Sequence, residues 1–111
     1  MNMHTPDSIR GQTLRWTFTE GPTAGSTFDH TFHEDGNVVW RGVDGSCKGT
    51  SAREKKYGAV KIAEDVHAVS YLAASGYTLT VVLNFKDLQM FGFASNDKEW
   101  YPVSGTFKVL T

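Results

Sequence analysis

Short segments in which apolar and polar residues alternate follow one another from Leu14 to Val109, separated by turns rich in Gly, Asp and Asn. Alternation with a period of two places every second side chain on one face of a strand. Short strands joined by short turns, without a long helical segment, are typical of an antiparallel sheet that closes on itself. The pattern predicts an all-β fold, an eight-stranded antiparallel up-and-down β-barrel. The predicted strands are 13–19, 27–33, 38–43, 57–62, 66–72, 77–85, 88–94 and 102–110.

Residues 1–10 are predicted to form a flexible N-terminal arm, and residues 11–111 a single barrel domain. The segment 44–53 is the least regular part of the chain, and we interpret it as a lid or a loop at the barrel rim. An eight-stranded barrel is just wide enough to hold its own side chains or one small ligand. Its first three strands supply an interior rich in aromatic side chains, namely Trp16, Phe18, Phe28, Phe32 and Trp40.

Composition excludes several classes of function. The net charge is −1 with acidic and basic residues well mixed, which argues against a nucleic-acid partner. No apolar run approaches the roughly 18 residues of a membrane span, and residues 1–6 lack the pattern of a secretory signal, so we expect a cytoplasmic protein without a membrane partner. The single cysteine, Cys47, excludes an internal disulfide and a zinc site with several cysteines. The mixed-charge run 53–56 is interpreted as a solvated loop or helical turn.

Two histidines on the second strand are the first candidates for chemistry. His30 and His33 are three positions apart and therefore point to opposite faces, so they are not expected to share a metal ion. His30 shares its face with Phe28 and Phe32, which places it inside the barrel. There it is either a hydrogen-bonded structural residue or a proton donor or acceptor near neutral pH.

His67 and Tyr71 lie four positions apart on the fifth predicted strand and share one face. They are either a polar handle inside an apolar cavity or part of the solvent face, and the pattern leaves both interpretations open. Arg41 follows Trp40 and should point outward in an ideal strand; the alternative is a carboxylate-binding arginine, which requires a twist at the end of the strand. Cys47 has no neighbouring His or acid and is not predicted to be a nucleophile. No phosphate loop, serine elbow, paired-acid or metal motif is present, so we predict no cofactor and no metal.

Three pieces of the sequence carry a resemblance to a known family: Gly11 before the first aromatic strand, Phe28-x-x-x-Phe32 with the Asp35-Gly36 turn and Val38-x-Trp40, and the block Lys61-Ile62, Val69-Ser70-Tyr71 and Gly76. In their order these features resemble the MoaF-like group of small calycin barrels. That resemblance implies a lipocalin-like barrel with a central cavity, and the name of the group links it to molybdenum cofactor metabolism. It spans nearly the whole chain, although each matching piece is short.

The chain is also similar, more distantly, to phenolic acid decarboxylases, which are dimeric enzymes without a cofactor. The two tyrosines that those enzymes use fall on Trp16 and Phe18 here, and their glutamate falls on Ala73. Decarboxylation by that mechanism is therefore not expected, since all three functional groups are missing. The comparison does imply that His67, Tyr71 and Ala73 point inward.

Three hypotheses for function follow. The favoured one is a protein that binds a small apolar or aromatic molecule in its central cavity. The second is a cofactor-independent lyase or isomerase acting on a small aromatic or carboxylic substrate, with His30 or His67 as general acid or base and Tyr71 as a donor. The third is an interaction protein whose barrel is filled by its own side chains and which acts through its surface, for example as a homodimer. The predicted ligand-binding residues are Trp16, Phe18, Phe28, His30, Trp40, His67 and Tyr71.

Overall fold

Nine antiparallel strands make up the part of the chain that the computed structural model describes, residues 8–110. They form one sheet in the order β4-β3-β2-β1-β9-β8-β7-β6-β5, which curls into a nearly closed barrel. The predicted all-β antiparallel barrel is therefore confirmed. The strands are β1 Thr13–Glu20, β2 Thr27–Phe32, β3 Val38–Asp44, β4 Ser51–Glu54, β5 Tyr57–Ala63, β6 Val66–Leu72, β7 Thr78–Asn84, β8 Gln89–Ser95 and β9 Trp100–Val109.

The strand count differs from the predicted eight because Ser51–Glu54 forms the additional strand β4. It pairs with β3 from Val38 to Arg41, within the stretch that the sequence pattern left irregular. The turn 45–50 joins the two strands. The predicted N-terminal arm lies mostly outside the described residues, but Ile9 near its end is fully buried in the core.

Strands β4 and β5 are the two edges of the sheet, and we call the gap between them the seam. Tyr57, the first residue of β5, crosses it twice. Its backbone N–H donates to the carbonyl oxygen of Gly36 at 3.0 Å, and its hydroxyl donates to the carbonyl oxygen of His33 at 2.8 Å. Side-chain and turn contacts therefore close the barrel where the ladder of backbone hydrogen bonds ends.

The alternation predicted for each strand decides what faces the interior. Leu14, Trp16 and Phe18 of β1 are buried, as are Phe28, His30 and Phe32 of β2. On β6 the inward residues are His67, Val69 and Tyr71, which settles the facing that periodicity had left open. Since side chains alternate across a strand, Ala68, Ser70 and Leu72 lie on the outside.

The two ends of the interior differ. At the end that contains Ile9, Phe32, Leu83 and Met90, the side chains pack together and are fully buried. The opposite end is less densely packed and encloses a cavity. Glycines at inward positions of β8 and β9 let neighbouring strands approach closely: a Cβ at Gly105 would overlap the carbonyl oxygen of Thr17, and one at Gly92 the carbonyl oxygen of Thr80.

The outside of β1, β2 and β3 is charged. Arg15 donates to both carboxylate oxygens of Asp29, at 2.8 Å and 3.1 Å, and these hydrogen bonds hold the pKa of Asp29 below its ordinary value. Arg41 lies outside as predicted, 3.7 Å from the same carboxylate. Within residues 8–110, no helix has the length and apolar character needed to cross a membrane.

Candidate functional site

A cavity of about 710 Å³ occupies the less densely packed end of the barrel. Because neighbouring strands are antiparallel, the last residues of β1, β6 and β8 lie beside the first residues of β2, β7 and β9 at this end of the barrel. Most of the wall is apolar or aromatic. The lining residues are Phe18, Gly21, Pro22, Thr23, Phe28, His30, Trp40, Cys47, Tyr71, Ala73, Tyr77, Leu79, Ala94, Tyr101 and Val103.

A histidine and a tyrosine form a hydrogen-bonded pair in this wall. His30 of β2 and Tyr71 of β6 come from opposite sides of the seam, and the distance from His30 Nε2 to the Tyr71 hydroxyl is 3.0 Å. The ring of His30 stacks on Trp16, with centroids 3.9 Å apart and an interplanar angle of 22°. Trp16 therefore packs against the imidazole of His30 and limits how far it can rotate.

Burial keeps both members of the pair uncharged. Loss of solvent lowers the pKa of His30 from 6.5 to about 3, and the nearby Asp29 carboxylate opposes this only weakly. Burial raises the pKa of the Tyr71 hydroxyl well above its ordinary value. This environment favours the interpretation of His30 as a hydrogen-bonded structural residue over that of a proton donor or acceptor near neutral pH. At neutral pH the pair consists of a neutral imidazole and a neutral phenol.

The hydrogen bond between His30 and Tyr71 does not use all the polar atoms of the two side chains. Among the described residues, His30 Nδ1 is buried and has no hydrogen-bond partner. If Nε2 carries the ring proton, it donates to the Tyr71 oxygen and leaves the phenolic O–H available to the cavity. If Nδ1 carries the proton, the phenol donates to Nε2 and its oxygen can still accept. In either tautomer Tyr71 presents one polar atom to an otherwise apolar space.

Glu54 does not line the cavity, but its carboxylate contacts Trp40, which does. Its carboxylate accepts a hydrogen bond from Trp40 Nε1 at 2.9 Å and another from the backbone N–H of Ala74 at 3.1 Å. Glu54 belongs to β4 and Ala74 to the turn after β6, so the carboxylate joins the two sides of the seam. It is 3% exposed. The interpretation of this residue as part of a solvated charged run is wrong.

Two tyrosines stand at the mouth of the cavity. The rings of Tyr77 and Tyr101 stack with centroids 6.5 Å apart. The Tyr77 hydroxyl donates to the Glu99 carboxylate, which raises the pKa of Tyr77 to about 12 and lowers that of Glu99. An acidic residue therefore holds one side of the entrance in place.

The sequence of this cavity-bearing barrel matches the model of the MoaF-like family over residues 10–108. The chain belongs to the MoaF-like family. No curated protein matches the sequence. Among solved structures, it is similar to a Burkholderia vietnamiensis protein that is provisionally described as a beta-lactamase, with 17% identity, a TM-score of 0.77, and coverage of 98% of this chain and 100% of that one. At this identity the likeness shows the fold alone.

The MoaF-like barrel brings five of the seven predicted ligand-binding residues to the cavity wall: Phe18, Phe28, His30, Trp40 and Tyr71. Trp16 and His67 also point inward but lie deeper, outside the cavity lining. His67 is at the packed end, with its ring centroid 5.4 Å from that of Phe85. That these residues bind a ligand stays a prediction.

Sequence reasoning missed the wall that β7, β8 and β9 supply. Leu79, Ala94 and Val103 sit at inward positions of predicted strands, so the alternation alone places them inside. Their height along the barrel axis, which decides whether they line the open or the packed end, requires the register between strands. Among residues 8–110 of the MoaF-like barrel, no group of three or more His, Cys, Asp or Glu side chains is arranged to hold a metal ion.

Proposed function

We propose that this MoaF-like barrel binds a small, uncharged, mostly apolar molecule with an aromatic body in its cavity. The observation that carries the proposal is the combination of a cavity of about 710 Å³, an aromatic wall and one buried polar pair. Small-molecule sites are usually concave and apolar, with a few well-placed polar groups that fix the orientation of the ligand.

The wall favours a neutral ligand. Its described side chains include no Lys, Arg, Asp or Glu, and His30 is neutral at physiological pH. A carboxylate or ammonium group that entered the cavity would lose its hydration without gaining a partner of opposite charge. The Glu99 carboxylate at the mouth further disfavours the approach of anions. A neutral aromatic compound encounters neither cost.

Tyr71 supplies the orienting contact. A ligand that carries a single hydroxyl or carbonyl can hydrogen-bond to the phenol whichever tautomer His30 adopts. The edges and faces of Phe18, Phe28 and Trp40 then pack against the aromatic body. One polar anchor within an aromatic wall supports selective binding of compounds that carry a single polar group.

Catalysis is the weaker alternative. A lyase or isomerase acting on an aromatic or carboxylic substrate requires an acid or base whose pKa lies near the working pH. Burial moves the pKa of His30 to about 3 and that of Tyr71 in the opposite direction, away from neutrality in both cases. Such a pair holds and orients a ligand well but transfers protons poorly. A β-lactam substrate has no support either, since no serine lines the cavity among the described residues.

Native mass spectrometry of the purified protein, followed by denaturation, would release and weigh any bound molecule. In parallel, thermal unfolding with 1-naphthol and with 1-naphthoate compares a neutral and an anionic ligand of similar shape. We expect 1-naphthol to raise the melting temperature by mass action and 1-naphthoate to raise it far less. No stabilisation by 1-naphthol, or equal stabilisation by both compounds, would contradict the proposed selectivity.

A pair of Tyr→Phe variants tests the anchor. Tyr71→Phe should weaken 1-naphthol binding by about tenfold, the usual effect of losing one hydrogen bond. Tyr57→Phe is the matched control, because Tyr57 is also a buried tyrosine but lies outside the cavity lining. Equal affinity in both variants would show that Tyr71 is not the anchor. Ala94→Phe, which places a ring in the cavity, should abolish binding in a folded protein.

A further inference from the structure

The outer surface of β5–β9 differs from the charged outside of β1–β3. Backbone pairing aligns its outward residues in rows across the sheet. One row runs Val60, Ala68, Val82, Phe91. A second runs Ser70, Thr80, Phe93, Pro102, and a third Leu72, Thr78, Ser95, Trp100. We call these three rows the outer apolar face.

Large apolar side chains on this face are in contact with solvent. Val60, Leu72, Phe91, Phe93 and Trp100 are each between 52% and 64% exposed. Phe93 and Trp100 touch edge to face, with ring centroids 5.6 Å apart, so they form one continuous surface. Together the five side chains expose roughly 550 Å² of apolar area, at the upper end of what a monomer usually shows.

No ionisable residue belongs to the three rows. The remaining positions are Ala, Val, Ser, Thr and Pro, whose side chains are uncharged. At one margin, beyond the first row, Glu20 accepts a hydrogen bond from the Ser104 hydroxyl. A partner that covers this face therefore buries apolar area without removing a charged group from water.

We propose that the outer apolar face is the interface of a symmetric homodimer. A twofold axis brings the same patch of both subunits together, so a patch can serve only if it does not repel itself. A face without charges meets this condition, whereas the outside of β1–β3, with Arg15 and Arg41, does not. The aromatic residues at its centre are the types enriched at the cores of interfaces.

The size of the face suits a second copy. The apolar side chains and the Ser, Thr and Pro residues between them span β5 to β9 and offer roughly 800 Å² per subunit, the area of a standard stable interface. Two such sheets can pack face to face at about 10 Å, with Phe91 and Phe93 of one subunit set between rows of the other. Trp100 precedes Tyr101, so the dimer also fixes the strand that carries one side of the cavity mouth.

Sedimentation equilibrium over a range of protein concentrations tests the proposal. We expect the wild-type chain to approach twice its mass of 12.3 kDa. The double variant Phe91→Lys/Phe93→Lys should raise the dimer dissociation constant by at least about 30-fold, because it removes central aromatic contacts and places like charges across the axis. Leu110→Lys is the control, since Leu110 is also an exposed apolar residue but lies outside the three rows.

Four outcomes overturn the proposal. These are a wild-type chain that stays monomeric at the highest soluble concentration, larger polydisperse assemblies, a double variant that dimerises as tightly as the wild type, and equal weakening by Leu110→Lys. Far-UV circular dichroism establishes that the variants fold. If the double variant does not fold, Ser95→Lys, at a small outward position of the third row, replaces it with the same expected direction. None of these measurements depends on a ligand, so they are independent of the proposed binding function.

Discussion

The imidazole of His30 is 2% exposed and stacks on Trp16, so water cannot stabilise its charged form. Within residues 8–110 the ring hydrogen-bonds to a phenol, which gives the protonated imidazole no negatively charged hydrogen-bond partner. The neutral form is therefore part of the native state, and protonation has to disrupt the interior. The stability of the protein is linked to pH through this side chain.

We expect the free energy of unfolding to fall as the pH drops from about 6.5 toward 3. In that range the unfolded chain binds a proton at His30 and the folded chain does not, so stability rises with pH by about 1.4 kcal/mol per unit from this residue. Urea titrations of wild type and His30→Gln between pH 4 and pH 7 measure it. The slope should be smaller in the variant by that amount.

His33→Gln provides the control for this prediction. It removes a histidine just after the end of β2 but retains His30, and should therefore keep the wild-type slope. If His30→Gln and His33→Gln change the slope equally, the assignment to His30 is wrong. The alternation in the sequence was sufficient to place His30 inside, but not to show that it is sealed from water, because depth depends on Trp16 and Tyr71 from other strands.

Strand β9 is shaped by the absence of a side chain at Gly105. This position is buried, and a Cβ there would overlap the carbonyl oxygen of Thr17 on β1. The overlap is with backbone atoms, which cannot rotate away as a side chain does. The close approach joins the two halves of the sheet, since β1 and β9 are the strands that pair across the middle of its order.

We expect Gly105→Ala to lower the free energy of unfolding by about 3 kcal/mol or to prevent folding, because β1 and β9 must separate to admit the methyl group. Gly58→Ala is the matched control. It also lies within a strand, but nothing is within 4 Å of the added Cβ, so the change should be neutral or stabilise by up to about 1 kcal/mol. Equal effects in urea denaturation would contradict this account.

Prediction from sequence succeeded where the information is local and failed where it depends on pairing. The long alternating segments gave the barrel and the inward parity of β1, β2 and β3. Strand β4 was missed because Ser51–Glu54 is short, carries charges and offers no apolar alternation of its own. It exists because β3 provides an edge to pair with. Glu54 was interpreted as solvated for the same reason, since only the closed barrel supplies the donors that surround its carboxylate.

At the scale of the whole molecule, the buried carboxylate of Glu54 joins the two sides of the seam. Glu54→Gln should lower the free energy of unfolding by about 1–3 kcal/mol, because one of the two N–H donors must then face the amide NH₂ group. Equilibrium denaturation measures the loss, and hydrogen exchange at the Ala74 amide should accelerate with it. Glu64→Gln is the control, with a side chain 83% exposed and an expected change within about 0.5 kcal/mol. A Glu54→Gln variant as stable as the control would show that the seam does not depend on this carboxylate.

The three tryptophans of the chain occupy three different surroundings, and each therefore acts as an optical reporter for a different part of the molecule. Trp16 is sealed in the interior, Trp40 lines the cavity, and Trp100 is 63% exposed on the outside of the sheet. Versions that retain one indole at a time separate their fluorescence. Emission from Trp16 then follows unfolding, emission from Trp40 tests the proposed occupancy of the cavity by a ligand, and quenching of Trp100 by a soluble quencher tests the proposed contact between subunits.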